Sequence, residues 1–423
     1  MRISALVRGA PCLFSPSISV GRMSYDVAAV RAQFPALRSG TAHFDGPGGT
    51  QVPEPVARAV AETLTSSIAN RGQVTAAERL ADDTVLAARS AMADLLVADP
   101  GGIVFGRSAT QLTFDLARTL ATGWGPGDEV VVSRLDHDAN VRPWVLAAEA
   151  AGATVRWIGF DPATGELTAD DVADVLTDRT GLVAVTGASN LIGTRPPVAE
   201  IAALAHRTGA LLAVDGVHLT AHAPVDVAAL GADFFTCSPY KFLGPHCGVL
   251  AAAPALLDAL RPAKLLPSSD AVPERFELGT LPYELLAGTT AAVDFLAGLS
   301  PDGGTRRERL VAAMIALEAY EDALREHLEA RLRELPGVRL WSRAAHRTPT
   351  LLLTFDGREA ADAYRFLGER GVNAPAGSFY ALEPSRWLGL GDIGGLRVGL
   401  APYSDRDDVG RLLTGLREFL AVR

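Results

Sequence analysis

The sequence predicts an α/β protein. We expect a mostly parallel sheet of seven strands with helices on both faces, followed by a smaller α+β unit. Up to about residue 300, short apolar runs alternate with stretches whose apolar residues recur at helical spacing. This alternation is typical of parallel sheets, because helical crossovers join their strands. Of the 423 residues, 48% are hydrophobic and 21% are charged, as in ordinary globular proteins.

The predicted strands are short apolar runs that end in turn or polar residues. They cover residues 103–105, 129–133, 154–160, 182–186, 211–214, 234–236 and 249–252. The predicted helices carry apolar residues three or four positions apart, such as Val56, Val60 and Leu64. They cover residues 55–66, 75–96, the stretches that end at 122 and 151, 168–176 and 198–208.

A break in composition at residues 300–304 (Ser-Pro-Asp-Gly-Gly) separates this region from the smaller unit. A long helix is predicted after it, over residues 306–335, because Leu310, Met314 and Leu317 share one face. Pro336 ends that helix. The further predicted elements are a strand at 350–355, a helix at 358–370, a strand at 396–400 and a helix at 405–422.

We therefore divide the chain into a large domain, residues 44–300, and a small domain, residues 301–423. Residues 23–43 are expected to pack with the small domain. Residues 1–22 contain three arginines and no acid, which is compatible with a weak targeting signal. We favour a disordered extension or a mis-called start, because Met23 opens a sequence that is typical of folded protein.

Composition excludes several classes of function. The net charge of −10 argues against binding of nucleic acid or anionic membranes. No apolar run approaches the ~18 residues that a membrane-spanning helix needs. The three cysteines, Cys12, Cys237 and Cys247, form no CxxC pair. We therefore expect a cytoplasmic protein without a disulfide framework, and we predict no metal site.

Lysine is rare in this chain. It occurs only at Lys241 and Lys264, whereas the other 37 basic residues are arginines. An arginine does not lose its proton at accessible pH, but a shielded lysine does. A lysine retained in such a chain is therefore a candidate for amine chemistry, although chance retention is the competing interpretation.

Residues suited to catalysis follow the predicted strands, where ligands bind in such sheets. Each has an ordinary alternative: Ser108 as a helix cap, His137 and Asn190 as loop residues, Asp215 as a cap and Lys241 as a surface ion pair. Together they match the needs of pyridoxal phosphate. A lysine forms the Schiff base, an aspartate pairs with the pyridine nitrogen, an imidazole covers the ring, and a helix N-terminus holds the phosphate.

At these residues the chain resembles the class V aminotransferase-fold enzymes, in the branch of cysteine desulfurases and selenocysteine lyases. The resemblance runs from about Phe44 to the C-terminus and implies fold type I. The resembling segments, in the family's order, are 44–48, 70–72, 105–110, 136–144, 189–193, 215–218, 238–245, 276–280 and 396–400.

The resemblance implies a role for each matching residue. Lys241 would carry the cofactor and move the proton at the substrate α-carbon, and Asp215 would pair with the pyridinium. His137 would stack on the ring and could also transfer protons, so Lys241 and His137 are the implied catalytic residues. Asn190 and His218 would contact the ring hydroxyl, with His218 in place of the usual glutamine. The residues implied to line the phosphate are Ser108, Ala109, Thr110, Ser238 and Tyr240.

The resemblance also implies a homodimer with shared active sites, in which Gly279 and Thr280 reach the partner's phosphate. Arg397 would bind the carboxylate of a small amino-acid substrate. In desulfurases a cysteine on the loop before that arginine accepts sulfur, but the matching loop here, residues 376–381, has none. Tyr380 stands near that position and would close the pocket or hydrogen-bond the substrate.

The favoured function is a pyridoxal-phosphate enzyme of the cysteine desulfurase-like, C–S lyase type. Transamination and epimerisation stay open, because all three reactions begin with the same external aldimine. A non-catalytic relative that binds a cofactor or a partner is the alternative from another class. A nicotinamide dehydrogenase ranks low, because no GxGxxG follows the first strand.

Overall fold

The computed structural model describes residues 25–301 and 303–422. The predicted extension, residues 1–22, lies outside the described residues. The strands are β1 Ala42–His43, β2 Ile103–Gly106, β3 Glu129–Ser133, β4 Thr154–Ile158, β5 Thr180–Thr186, β6 Leu211–Asp215, β7 Phe234–Cys237, β8 Gly248–Ala252, β9 Val338–Leu340, β10 Thr350–Phe355, β11 Val372–Asn373, β12 Ala376–Gly377 and β13 Gly395–Gly399.

The α-helices are α1 Val27–Arg31, α2 Glu54–Thr65, α3 Ala76–Leu96, α4 Ala109–Ala121, α5 Arg142–Ala151, α6 Ala169–Ala173, α7 Val198–Thr208, α8 Val227–Leu230, α9 Pro254–Ala259, α10 Tyr283–Gly298, α11 Arg306–Leu332, α12 Ala360–Gly368, α13 Leu382–Trp387 and α14 Arg406–Ala421. Each strand and helix that the sequence predicts has a counterpart here, with ends that differ by a few residues.

The seven predicted strands form one sheet in the order β2-β8-β7-β6-β5-β3-β4. The pairs among β3, β4, β5, β6 and β7 are parallel. The last strand of the series, β8, runs antiparallel to both of its neighbours, β7 and β2. The predicted mostly parallel sheet is therefore confirmed.

Helices cover both faces of this sheet, and alternate strand residues face opposite sides. In β3, Val131 belongs to one core cluster, whereas Val130 and Val132 belong to another. The first cluster contains buried residues of α3, α7, α10 and α11, and the second contains those of α4, α5 and α9. This two-sided burial explains why the strands are almost continuously apolar.

The C-terminal part forms a four-stranded antiparallel sheet in the order β12-β13-β10-β9. It shares a separate core cluster with α12 and α14. The start of the described chain contacts this region. The two-residue strand β1 pairs in parallel with β11, and Arg31 forms ion pairs with Asp405 and Asp408.

The helix α10 is the largest element that the sequence analysis missed. Its buried residues include Leu286, Ala292, Val293 and Leu296, and it packs against α2, α3 and α11. Because helices surround it, it has no wide polar face, and the amphipathic pattern that reveals surface helices is weak. The long helix α11 also ends at Leu332, three residues before the predicted end.

A buried ion pair fixes β2 to the segment that follows the sheet. Both Nη atoms of Arg89 on α3 lie 2.9 Å from the Glu277 carboxylate, and the Phe105 amide donates to the same carboxylate. Arg89 also donates to the carbonyl of Ile103. Arg89 is 3% exposed, so water cannot replace these contacts.

We predict that Arg89→Met destabilises the fold by about 3–5 kcal/mol, because it leaves the Glu277 carboxylate buried and unpaired. Urea unfolding measures this loss. The matched control is Arg365→Met, whose ion pair with Asp362 is exposed and should contribute less than about 1 kcal/mol. Equal urea midpoints for the two variants would contradict the prediction.

Candidate active site

A cavity of about 640 Å³ opens at the carboxyl ends of the parallel strands. Of the fourteen residues predicted for the site, twelve line it: Ser108, Ala109, Thr110, His137, Asn190, Asp215, His218, Ser238, Tyr240, Lys241, Tyr380 and Arg397. The other two, Gly279 and Thr280, are exposed and lie outside this lining. Their contact with a partner subunit stays a prediction.

Tight packing at the strand ends positions these residues. Asp215 ends β6, and a Cβ added to the next residue, Gly216, would lie 1.9 Å from the Phe235 ring. Only glycine therefore lets the chain turn here against β7. β7 in turn leads through Ser238 into a 3-10 turn that contains Lys241.

The Lys241 amine is held close to the backbone of an early loop. Its Nζ donates to the carbonyl of Pro47 at 2.6 Å and lies 4.7 Å from the centre of the Tyr240 ring. Burial lowers the Lys241 pKa to about 7, and the nearby Arg397 charge acts in the same direction, whereas Asp215 opposes them. Near neutral pH a large fraction of the amine is therefore unprotonated and nucleophilic.

The Asp215 carboxyl is buried beside this amine. Burial raises its pKa to about 6, while a hydrogen bond from the Val217 amide, 2.9 Å long, and the Lys241 charge favour the carboxylate. The carboxylate thus keeps its charge at neutral pH in a place with little water. It can stabilise a positive group that enters the cavity.

His137 follows β3 and is held by its own turn. Its Nδ1 accepts a hydrogen bond from the Ala139 amide at 3.0 Å, so the neutral ring carries its proton on Nε2. Burial, together with the charges of Lys241 and Arg397, lowers the His137 pKa to about 4. The neutral imidazole can therefore stack on an aromatic ligand and donate from Nε2.

Buried polar contacts support the turn under His137. The Asp136 carboxyl accepts from Asn140 Nδ2 at 2.7 Å and from the Ser133 hydroxyl. Asn140 Oδ1 in turn accepts from the Trp144 indole at 3.0 Å. These bonds connect the end of β3 to α5, so the backbone that presents His137 has few alternative conformations.

The N-terminus of α4 offers an anion site. Ser108 caps the helix, and its Oγ accepts from the Gln111 amide at 3.1 Å. The amides of Ala109 and Thr110 have no partner within the helix and belong to the cavity wall. Gly248 on β8 permits this placement, because a Cβ there would lie 2.2 Å from the Ser108 carbonyl carbon.

Arg397 on β13 brings the smaller sheet to the cavity. It is 2% exposed, and its Nη1 donates to the Asn190 carbonyl at 3.1 Å. Burial lowers the Arg397 pKa to about 9, and Asp45 opposes this effect. A buried guanidinium of this kind favours an anionic ligand, and a carboxylate can pair with it through two parallel hydrogen bonds.

His218 joins the cavity to a buried network beneath it. Its Nε2 lies 2.9 Å from Thr350 Oγ1 and 3.0 Å from Thr348 Oγ1. Its ring meets that of His222 edge to face at 4.9 Å, and His222 Nδ1 lies 2.8 Å from the buried Glu321 carboxylate. Burial holds the His218 pKa well below its usual value, so the ring is neutral.

Sequence reasoning missed several residues of the wall, including Phe114, Arg142, Val217 and Phe379. Phe379 is the most consequential of them, because its ring centre lies 3.7 Å from the Arg397 guanidinium carbon. The sequence could have indicated Phe379 as a wall residue, because it stands beside Tyr380 in the loop before Arg397.

The two described cysteines do not belong to the cavity wall. Cys237 ends β7 and Cys247 precedes β8, and they are 0% and 2% exposed. Burial raises the pKa of both thiols, that of Cys247 to about 11. Neither is placed or activated as a nucleophile for this site.

The chain belongs to the aminotransferase class-V family, which it matches over residues 42–412. It is 34% identical to an uncharacterized protein of Mycobacterium tuberculosis, over 93% of this chain and 99% of that protein. It is 32% identical to a cysteine desulfurase of Dickeya dadantii, over 93% of this chain and 96% of that enzyme.

The fold resembles that of solved cysteine desulfurases. The Escherichia coli cysteine desulfurase CsdA matches with a TM-score of 0.82 and 29% identity, over 94% of this chain and 99% of that one. The enzyme of Thermococcus onnurineus matches with a TM-score of 0.84 at 24% identity, over 95% and 99% of the two chains, which concerns the fold alone. The predicted family and fold type I are confirmed.

No helix of the described residues is both long and apolar enough to cross a membrane. The prediction of a cytoplasmic location goes further than this finding and stays a prediction.

We predict that the Lys241 amine of the cofactor-free protein titrates near pH 7. Reductive methylation followed by peptide mapping measures this, because only the unprotonated amine reacts. Arg397→Gln should raise the midpoint, since the Arg397 charge lowers this pKa. Arg365→Gln, at an exposed position, is the control and should leave it unchanged. A wild-type midpoint near the ordinary lysine value of about 10.4 would contradict the prediction.

Proposed function

We propose that this protein is a pyridoxal-phosphate enzyme that cleaves a carbon–sulfur bond in a small α-amino acid. One observation carries the proposal: a half-buried Lys241 lies with Asp215 and Arg397 in one cavity that also contains a free helix N-terminus. The family supports it, as do relatives named cysteine desulfurase.

The residues present fit this cofactor. The Asn190 Oδ1 atom is buried and has no hydrogen-bond partner within the described part of the chain, so it suits a hydroxyl donor such as that of the pyridoxal ring. The α4 amides and the hydroxyls of Thr110 and Ser238 suit the phosphate. Asp215 suits the protonated ring nitrogen, and His137 suits the ring face.

When bound, pyridoxal phosphate supplies an electron-accepting ring that weakens the bonds at the substrate α-carbon. The protein does the rest. Arg397 binds the substrate carboxylate and orients the α-carbon, and the Lys241 Nζ takes up the proton that leaves it. The lowered Lys241 pKa makes this amine a base at neutral pH. The neutral His137 carries its proton on Nε2 and can donate a hydrogen bond from there to a leaving group.

Among the residues that the structure describes, no cysteine lines the cavity, so none of them offers a thiol to carry sulfur. Tyr380 is 78% exposed at the mouth of the cavity, and a phenol does not form the S–S bond of a persulfide. We therefore propose that sulfur leaves as free sulfide or passes to an external thiol. An aminotransferase or epimerase would use the same binding groups, so products must distinguish them. From cysteine, release of sulfide leaves a keto acid and ammonia, whereas transfer of sulfur to an external thiol leaves alanine and the persulfide of that thiol. The other two reactions give neither ammonia nor sulfide.

We also propose that the active form is a homodimer, with Thr280 contributing to the partner's phosphate site. The exposure of Thr280 and its separation from the cavity of its own chain support this arrangement.

We predict that borohydride reduction of the holoenzyme fixes the cofactor on Lys241, as peptide mapping can show. Lys241→Ala should abolish this adduct and slow turnover by about 10²–10⁴-fold, the usual contribution of a general base. Lys264→Ala is the matched control and should behave as wild type. An adduct on Lys264, or none at all, would refute the assignment.

We predict that a cysteine-free variant, with alanine at Cys12, Cys237 and Cys247, still releases sulfide from cysteine. No persulfide should appear by mass spectrometry on the wild-type protein during turnover. A persulfide on Cys247, together with lost turnover in Cys247→Ser, would instead identify a desulfurase with a relocated nucleophile.

We predict that sedimentation equilibrium of the active enzyme finds a dimer. Thr280→Ala should weaken phosphate-dependent cofactor binding, because a hydroxyl donor is lost at the shared site. An active monomer would exclude the shared-site arrangement.

A further inference from the structure

We propose that Phe379 is a positioning residue for the substrate carboxylate: its ring holds the Arg397 guanidinium in the plane in which it can bind an amino acid. The inference rests on the proposed function of Arg397 and adds a determinant of specificity for α-carboxylates. It concerns a loop that, in this chain, has no sulfur-carrying cysteine.

The Phe379 ring stabilises the charge of the Arg397 guanidinium, which has few other partners. Its ring centre lies 3.7 Å from the guanidinium carbon, in the range of a cation–π contact. The Asn190 carbonyl accepts from Nη1, and Nε has no hydrogen-bond partner within the described residues. Among those residues no carboxylate lies within ion-pair distance of Arg397, and Asp45 acts only from further away.

A ring against one face of a guanidinium has a geometric consequence. The N–H groups of arginine lie in its plane, and a carboxylate binds them from the edge. The contact with Phe379 therefore fixes the plane without occupying the edge that an amino-acid carboxylate needs. Rotation of the guanidinium out of this plane would lose the ring contact.

The loop backbone holds Phe379 in an unusual conformation. Phe379 and Tyr380 have φ values of 54° and 59°, a region that bulky residues rarely adopt. The Phe379 carbonyl accepts from Asn190 Nδ2 at 3.0 Å, and the Tyr380 carbonyl accepts from the Asp138 amide at 2.7 Å. Such backbone strain persists where the surroundings enforce it, and it is frequent at ligand sites.

The chain beyond the loop is also fixed to the large sheet. The Arg134 guanidinium lies between the rings of Trp157 and Trp387, 4.8 and 4.9 Å from their centres, and pairs with Glu383 at 2.6 Å. Trp387 and Glu383 belong to α13, directly after the loop. Both ends of the loop are thus tied to elements that build the cavity.

The test compares an amino acid with the amine that has the same side chain and no carboxylate. Binding of each to the holoenzyme is measured by the change in cofactor absorption. Phe379→Leu should weaken the amino acid about tenfold, the scale of a desolvated cation–π contact, and leave the amine unchanged. Phe379→Tyr, which keeps the ring, should bind both as wild type does.

The matched control is Phe366→Leu, which removes an arginine–aromatic contact with Arg370 outside the cavity and should change neither ligand. Unchanged amino-acid binding in Phe379→Leu, or equal losses for amino acid and amine, would overturn the inference. If Phe379→Leu fails to bind cofactor, the test uses Phe379→Tyr and Arg397→Lys instead. An equal loss of amino-acid binding in these two variants would overturn the inference. A wild-type enzyme that does not prefer the amino acid would refute the role of Arg397 itself.

Discussion

The site depends on burying three charged groups together at the ends of the parallel strands. Lys241, Asp215 and Arg397 are all withdrawn from water, and their pKa values move toward neutrality to about 7, 6 and 9. Isolated burial of such groups is unfavourable, so each needs a counter-charge nearby or a ligand that supplies one. Pyridoxal phosphate and an α-amino acid together offer a cation for Asp215, an anion for Arg397 and a carbonyl for Lys241.

The fold stabilises this arrangement because it holds the three side chains in fixed positions. Parallel strands deliver their polar ends to one edge, and close backbone contacts at Gly216 and Gly248 keep the turns and the start of α4 in place. The antiparallel β13 adds Arg397 from the smaller sheet, so both sheets contribute to the cavity wall. The hydrogen bonds of Asn190 with Arg397 and Phe379 connect the two sides.

Much of this could be predicted from the sequence because the signals were local. Asp215, Ser238 and Lys241 could be predicted from their positions at or just after apolar strands, without knowledge of distant contacts. The order of the strands, the buried helix α10 and the ring of Phe379 against Arg397 depend on residues far apart in the chain. No periodicity in the sequence encodes the positive φ of two successive aromatic residues.

We propose that the cavity is built for pyridoxal phosphate. Thermal unfolding of the cofactor-free protein tests it most directly, because a ligand that binds only the native state raises its stability. We expect a clear rise in Tm with pyridoxal 5′-phosphate, a smaller rise with pyridoxal or inorganic phosphate alone, and none with a nicotinamide dinucleotide. A rise with the dinucleotide and none with pyridoxal 5′-phosphate would contradict it.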